Sequence, residues 1–254
     1  MYVLKYFIVT GTSRGLGKAI TEQLIAKDHT IFCISRKQNN ELKNLASSQG
    51  IPLYYFSCDL QKVEEVERVM EKIFTTIDFS SAEGIYLINN AGVIQPIKPI
   101  GKATSNEIAT NVQVNLIAPM ILSTYFIQYT SNINTVKMII NISSGAANRP
   151  SVGWATYCSS KSGLDMFTKA VSIEQENVAN PAVVISFSPG IMDTDMQADI
   201  RQSDKDDFAE LEKFVEFEQQ GLLRSTETVA KILLNLVFNG LPVNGKIYDI
   251  KEMI

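Results

Sequence analysis

The sequence predicts an α/β fold, a single domain built on a doubly wound parallel sheet of about seven strands with helices on both faces. Three observations predict it. Seven short β-branched or aromatic runs alternate mostly with helix-sized intervals, as parallel strands joined by helical crossovers do. The runs are almost continuously apolar rather than alternating, which suits strands covered on both faces. A glycine-rich turn, TGTSRGLG, follows the first run directly.

In chain order the strand runs are YFIVT (6–10), TIFCIS (30–35), LYYFS (53–57), IYLIN (85–89), KMIINIS (137–143), AVVISFS (182–188) and KIYDI (246–250). No repeat, low-complexity tract or linker rich in Pro, Gly or Ser divides the chain, so residues 1–254 are read as one domain. One stretch shifts in composition. Residues 199–220 are highly charged and carry Phe208, Leu211, Phe214, Val215 and Phe217 at roughly helical spacing. That pattern fits an amphipathic surface helix, or a flap over a substrate site.

With 23 basic and 27 acidic residues, a net charge of −4 lacks the basic footprint that nucleic acid requires. No apolar run approaches the ~20 residues that span a bilayer, and the N-terminal MYVLKYFIVTG lacks the layout of a secretory signal. Cys33, Cys58 and Cys158 are odd in number and not at metal-type spacing, which suits a reducing compartment. The expectation is a cytoplasmic protein with no metal, no membrane and no nucleic-acid partner.

Gly11, Gly15 and Gly17 lead into a helix pattern. Glycines there let the backbone approach a pyrophosphate, whose charge then meets the unpaired amides of a helix N-terminus. The spacing is G-x-x-x-G-x-G, not the G-x-G-x-x-G of the commonest dinucleotide turn. The second strand ends in Ser35 and Arg36, where an NAD-binding chain would usually place an acid for the ribose 2′-hydroxyl. A guanidinium there, with Arg14 inside the turn, suits a 2′-phosphate instead. NADP(H) is the expected cofactor.

The chain has one histidine, His29, so acid–base chemistry is sought elsewhere. In YCSSK, Tyr157 and Lys161 are four apart and share one face of a helix. A nearby ammonium favours phenolate, so the phenol pKa is expected to fall from ~10. Ser144 stands thirteen residues before Tyr157 at the end of the fifth strand run, NNAG (89–92) ends the fourth, and Asn115 lies in the helix pattern beyond it. The C-terminal edge of a parallel sheet is where such proteins bind ligands.

Taken together, TGTSRGLG, Asp59 after the third strand, NNAG, Asn115, ISS, Y-x-x-x-K and SPG resemble, in order and spacing, the short-chain dehydrogenase/reductase family over essentially the whole chain. The resemblance implies a Rossmann-type, NADP-binding reductase. Tyr157 would donate a proton to a substrate carbonyl, Lys161 would tune the tyrosine and bind the ribose, Ser144 would hold the carbonyl oxygen, and Asn115 would fix a relay water. The cofactor would be lined by Gly11, Ser13, Arg14, Gly15, Leu16, Gly17, Arg36, Asp59, Leu60, Asn90, Ala91 and Gly92. Pro189, Gly190, Ile191 and Thr194, with Tyr157 and Lys161, would meet its nicotinamide end. His29 would be structural or exposed, and a homodimer or homotetramer is implied.

GWATYC (153–158) and PGIMDTDMQ (189–197) resemble the sepiapterin reductase subgroup and its bacterial benzil-reducing relatives. Trp154 could wall an aromatic pocket or serve core packing. Sepiapterin reductases carry an acid in the last strand that anchors the pterin, and here Lys246 stands at the aligned position in GKIYD. The resemblance therefore implies carbonyl reduction of an aromatic 1,2-diketone, with reduction of a pterin side-chain ketone, or NADP binding without catalysis, as alternatives.

Overall fold

The computed structural model describes residues 4–253. All seven predicted runs form strands: β1 (Leu4–Thr10), β2 (His29–Ser35), β3 (Leu53–Ser57), β4 (Ala82–Asn89), β5 (Val136–Ile142), β6 (Val183–Ser188) and β7 (Ile247–Asp249). They pair in parallel in the order β3-β2-β1-β4-β5-β6-β7. Strand order reverses between β1 and β4, which opens a crevice at their C-terminal ends.

The period of two along each strand sends alternate residues to opposite faces. Phe7 and Val9 of β1 pack with Leu16, Ile20 and Leu24 of α1 (Gly15–Leu24), with α2 (Asn40–Ser48) and with α9 (Thr226–Asn239). Tyr6 and Ile8 point the other way, towards α3 (Val63–Thr76), α5 (Ala118–Thr130) and α6 (Ala155–Gln175). The α3 residues that bury, Val66, Val69, Met70, Ile73 and Phe74, recur at three and four, the stripe one helix face presents. Burying each large apolar side chain stabilises by about 1.5–3 kcal/mol.

Two departures from regular helix bear on the site. Between α4 (Ser105–Val112) and α5, residues Gln113–Ile117 form a π-helical turn that contains Asn115, a feature frequent where a helix is adapted to function. Residues 199–220 do not form the single amphipathic helix that their spacing suggested. The segment divides into the end of α7 (Asp195–Arg201), a turn, and α8 (Leu211–Gln219). Asp204 breaks it: its Oδ1 accepts from the Asp206 amide at 2.8 Å and its carbonyl accepts from the amides of Asp207 and Phe208 at 3.0 Å. Short acidic side chains offer the backbone such local bonds in place of helical ones.

Candidate active site

At the crevice the ends of β1 and β4 are tied together. Thr10 Oγ1 accepts from the amides of Asn90 and Ala91, both at 2.9 Å, and Asn90 Nδ2 donates to the Thr10 carbonyl at 2.9 Å. Gly17 packs into this knot so closely that a Cβ would lie 2.2 Å from the Gly11 carbonyl oxygen and 2.4 Å from Asn90 Nδ2. Only glycine fits there. The turn thus joins Gly11, Ser13, Arg14, Gly15, Leu16 and Gly17 to Asn90, Ala91 and Gly92 along one edge.

The end of β2 joins the same edge through Thr12 Oγ1 and Ser35 Oγ, 3.3 Å apart. Arg36 follows, exposed and in no ion pair among the described residues. Arg14 instead pairs with Asp195 Oδ2 at 2.6 Å, both side chains exposed. Its neighbour Thr194 caps α7 by accepting from the Gln197 amide. The loop after β6, with Pro189, Gly190 and Ile191, is held at Ile191, whose carbonyl accepts from the Arg224 amide at 3.1 Å. Beyond β3, Asp59 Oδ1 accepts from the Gln61 amide at 3.1 Å and Leu60 is buried.

Tyr157 and Lys161 occupy the first turns of α6, both buried. Ser144 ends the strand extension of β5, its Oγ accepting from the Ala146 amide at 3.2 Å. It faces Tyr157 and favours the phenolate, but burial outweighs it and pushes the phenol pKa up. The expected depression by Lys161 is therefore corrected. Lys161 Nζ donates to the Ile142 carbonyl at 2.8 Å, and burial lowers its pKa to about 8, against a weaker opposing pull from Asp165.

Asn115 belongs to the same cluster through Gly92, where a Cβ would lie 3.3 Å from Asn115 Oδ1 and 3.7 Å from Lys161 Nζ. Its amide is committed to structure. Oδ1 accepts from the Val93 amide and Nδ2 donates to the Val93 carbonyl, both at 2.8 Å, with a further bond to Asn111 at 3.0 Å. Asn111 accepts in turn from Ser160 at 2.9 Å. Neither Asn111 nor Ser160 stood out in the sequence, because polar residues on a helix read as solvated until burial is known.

Beside Tyr157 lies a small apolar cluster: Ile94, Ile97, Ala146, Trp154, Ile200 and Phe208, with Met196, Leu211 and Phe214 against it. Trp154 meets Tyr157 edge-on at 5.7 Å between ring centres, stacks on Phe208 at 4.6 Å and meets Phe214 at 5.3 Å. Its buried Nε1 has no hydrogen-bond partner. Phe208 and Phe214 come from the 199–220 segment, so that segment packs on Trp154 beside the tyrosine. Their role was hidden in sequence by the charged residues around them.

Two further expectations resolve here. His29 opens β2 at the opposite end of the sheet, its Nδ1 bonded to the Leu24 carbonyl at 2.8 Å and its ring packed on Phe7. It is structural. Lys246 precedes β7, exposed at the strand end away from the crevice, with its ammonium 4.6 Å from the centre of the Tyr248 ring. It does not line the apolar cluster, so the argument from a lost pterin anchor falls.

Comparison with known proteins agrees with this geometry. The short chain dehydrogenase family model matches residues 5–205. A benzil reductase ((S)-benzoin forming) of Bacillus subtilis is 44% identical over 99% of this chain and 100% of its own. A sepiapterin reductase of Xenopus tropicalis is 26% identical, covering 91% of this chain and 90% of its own. The crystal structure of the KRED1-Pglu enzyme superposes with a TM-score of 0.81 at 27% identity, covering 96% of this chain and 99% of its own. No described helix is long and apolar enough to cross a membrane. A parallel sheet with a glycine knot at its crevice, a buried tyrosine–lysine helix beside it and these relatives lead to one statement: the chain belongs to the short chain dehydrogenase family, oxidoreductases that interconvert carbonyl and alcohol groups.

Proposed function

We propose that this protein is an NADPH-dependent reductase of aromatic 1,2-diketones, converting benzil to benzoin. The observation that carries the reading is the aromatic packing beside Tyr157, where Trp154 meets the tyrosine ring and Phe208 and Phe214 pack on Trp154. Such a wall suits a phenyl ketone. The similarity to the Bacillus subtilis benzil reductase supports the same reading.

The residues at the crevice fit a nicotinamide dinucleotide. Gly15, at φ +58° with only the Thr194 methyl near its would-be Cβ, leaves room for a pyrophosphate to approach the backbone, and β2 ends in Ser35 and Arg36 with no acid to repel a 2′-phosphate. Arg14 would exchange Asp195 for that phosphate, and an exposed ion pair of this kind holds it by only about 0–1 kcal/mol. When bound, the reduced nicotinamide supplies the hydride. Ser144 holds the carbonyl oxygen and Tyr157 protonates it, leaving a phenolate that the Lys161 ammonium stabilises. A buried, raised phenol remains protonated at neutral pH and is therefore ready to act as an acid.

Tyr157→Phe removes the acid and keeps the ring. Benzil-dependent NADPH oxidation should fall by about 10²–10⁴-fold while NADPH binding persists. Near-normal turnover in that variant would remove Tyr157 from the mechanism.

A further inference from the structure

Asp165 is the only carboxylate in the buried set among the described residues, 5% exposed. It lies on α6 four residues beyond Lys161, so one helical turn stacks the two side chains on the same face. A buried carboxylate is costly unless charge or hydrogen bonds compensate it. Burial pushes its pKa up, and the hydroxyls of Ser143 and Ser186, which face it from the end of β5 and from β6, oppose that by favouring the ionised form without closing to full hydrogen bonds. The charges beside it are Lys161 and Lys169 of its own helix, and Lys169 is exposed, where solvent screens it. Lys161 is the charge it meets inside the protein.

A buried polar column leads to this carboxylate. Asn89 Nδ2 donates to Asn141 Oδ1 at 2.9 Å, Asn141 Nδ2 donates to Thr168 Oγ1 at 2.9 Å, and Thr168 and Ser186 hydroxyls are 2.9 Å apart. Thr168 Oγ1 also donates to the Leu164 carbonyl at 3.0 Å, which leaves the Ser186 hydroxyl as the donor at the end of the column beside Asp165. On the other side of Lys161 stand Tyr157, the Ile142 carbonyl, Gly92 and Asn115. None of these is an anion when Tyr157 carries its proton.

We propose that Asp165 is a positioning residue whose buried carboxylate keeps Lys161 protonated, so that Lys161 can stabilise the phenolate left when Tyr157 gives up its proton. This rests on the reading of Tyr157 and Lys161 as the reacting pair. Burial alone drives the lysine towards the neutral form, and its pKa of about 8 leaves little margin at physiological pH. An opposite charge within about 4–6 Å raises a lysine pKa by about one unit or more. Without Asp165 the ammonium would be lost at lower pH.

The test is the pH profile of kcat for NADPH-dependent benzil reduction in wild type, Asp165→Asn and Asp165→Glu. Lys161 is charged below its pKa and neutral above it, so turnover declines on the basic side. Asp165→Asn should move that decline down by about one pH unit. Turnover at pH 8 then drops several-fold more than at pH 6, with the KM for benzil little changed, and Asp165→Glu restores the wild-type position. A basic limb that stays in place in Asp165→Asn overturns the proposal. Should the asparagine variant not fold, Asp165→Ser, smaller and also uncharged, provides the same comparison. Wild-type turnover that survives Tyr157→Phe would instead overturn the underlying assignment of the reacting pair, which separates the two failures.

Discussion

On the proposed diketone reading, Trp154 is the side chain through which one residue would act on substrate choice. Its ring forms one wall against Tyr157, and its buried Nε1 has no acceptor. A 1,2-diketone carries two carbonyl oxygens, of which Ser144 and Tyr157 would engage one in the proposed reaction. The indole N–H is a candidate donor to the other. Trp154→Phe keeps an aromatic wall but removes the donor, so benzil turnover should fall by about tenfold, the worth of one buried hydrogen bond. Deoxybenzoin, with two phenyl rings but one carbonyl, should be reduced about as well by the variant as by wild type. An equal loss on both ketones would assign Trp154 to packing alone. Much of the candidate site was legible in sequence: Gly17, Ser144, Tyr157 and Lys161 announce themselves by type and spacing, and the fold brings them to one edge of the sheet. Asp165, Asn111 and Ser160 did not, since nothing local distinguishes a buried polar residue on a helix from a solvated one.

Among elements, the strands read clearly because the apolar runs are unbroken, including that of the edge strand β3, where no residue is buried and Tyr54 is exposed. The 199–220 segment did not, because its aromatic spacing mimics a helix while Asp204 turns the chain before Phe208. How that segment seats beside the tyrosine depends on the turn before α6. Gly153 has φ of +90°, and a Cβ on it would lie 2.3 Å from the Asp207 carbonyl oxygen. The ion pairs Lys102–Asp207 and Arg149–Glu210, each 2.5 Å, have exposed cations that solvent screens. Close packing at Gly153 therefore sets the seat more than charge does. Gly153→Ala should push the Phe208 turn off Trp154 and raise the KM for benzil several-fold, with NADPH affinity unchanged because the glycine turn lies elsewhere. Unaltered benzil kinetics in a folded Gly153→Ala would show that the segment's fit does not govern substrate binding.

At the scale of the whole molecule, one sheet gathers the groups proposed for the reaction on a single edge. β1 and β4 hold the glycine knot, the end of β5 holds Ser144, and α6 brings Tyr157 and Lys161 alongside. The parallel arrangement was foreseeable from strand and helix alternation, and with it the edge at which function would lie. The identity of the substrate was less so, because it depends on which apolar side chains from distant segments meet at Tyr157. Lys246 illustrates the limit, standing beside a familiar Tyr-Asp pair in sequence yet at the far end of β7 from the crevice in space. The most direct measurement is NADPH oxidation by the purified protein with benzil, sepiapterin and a simple aliphatic ketone, and NADH as the cofactor control. The apolar aromatic site predicts rapid turnover of benzil with NADPH, slower turnover with NADH, and little activity on sepiapterin. Preferred turnover of sepiapterin, or no turnover of benzil with either cofactor, would contradict it.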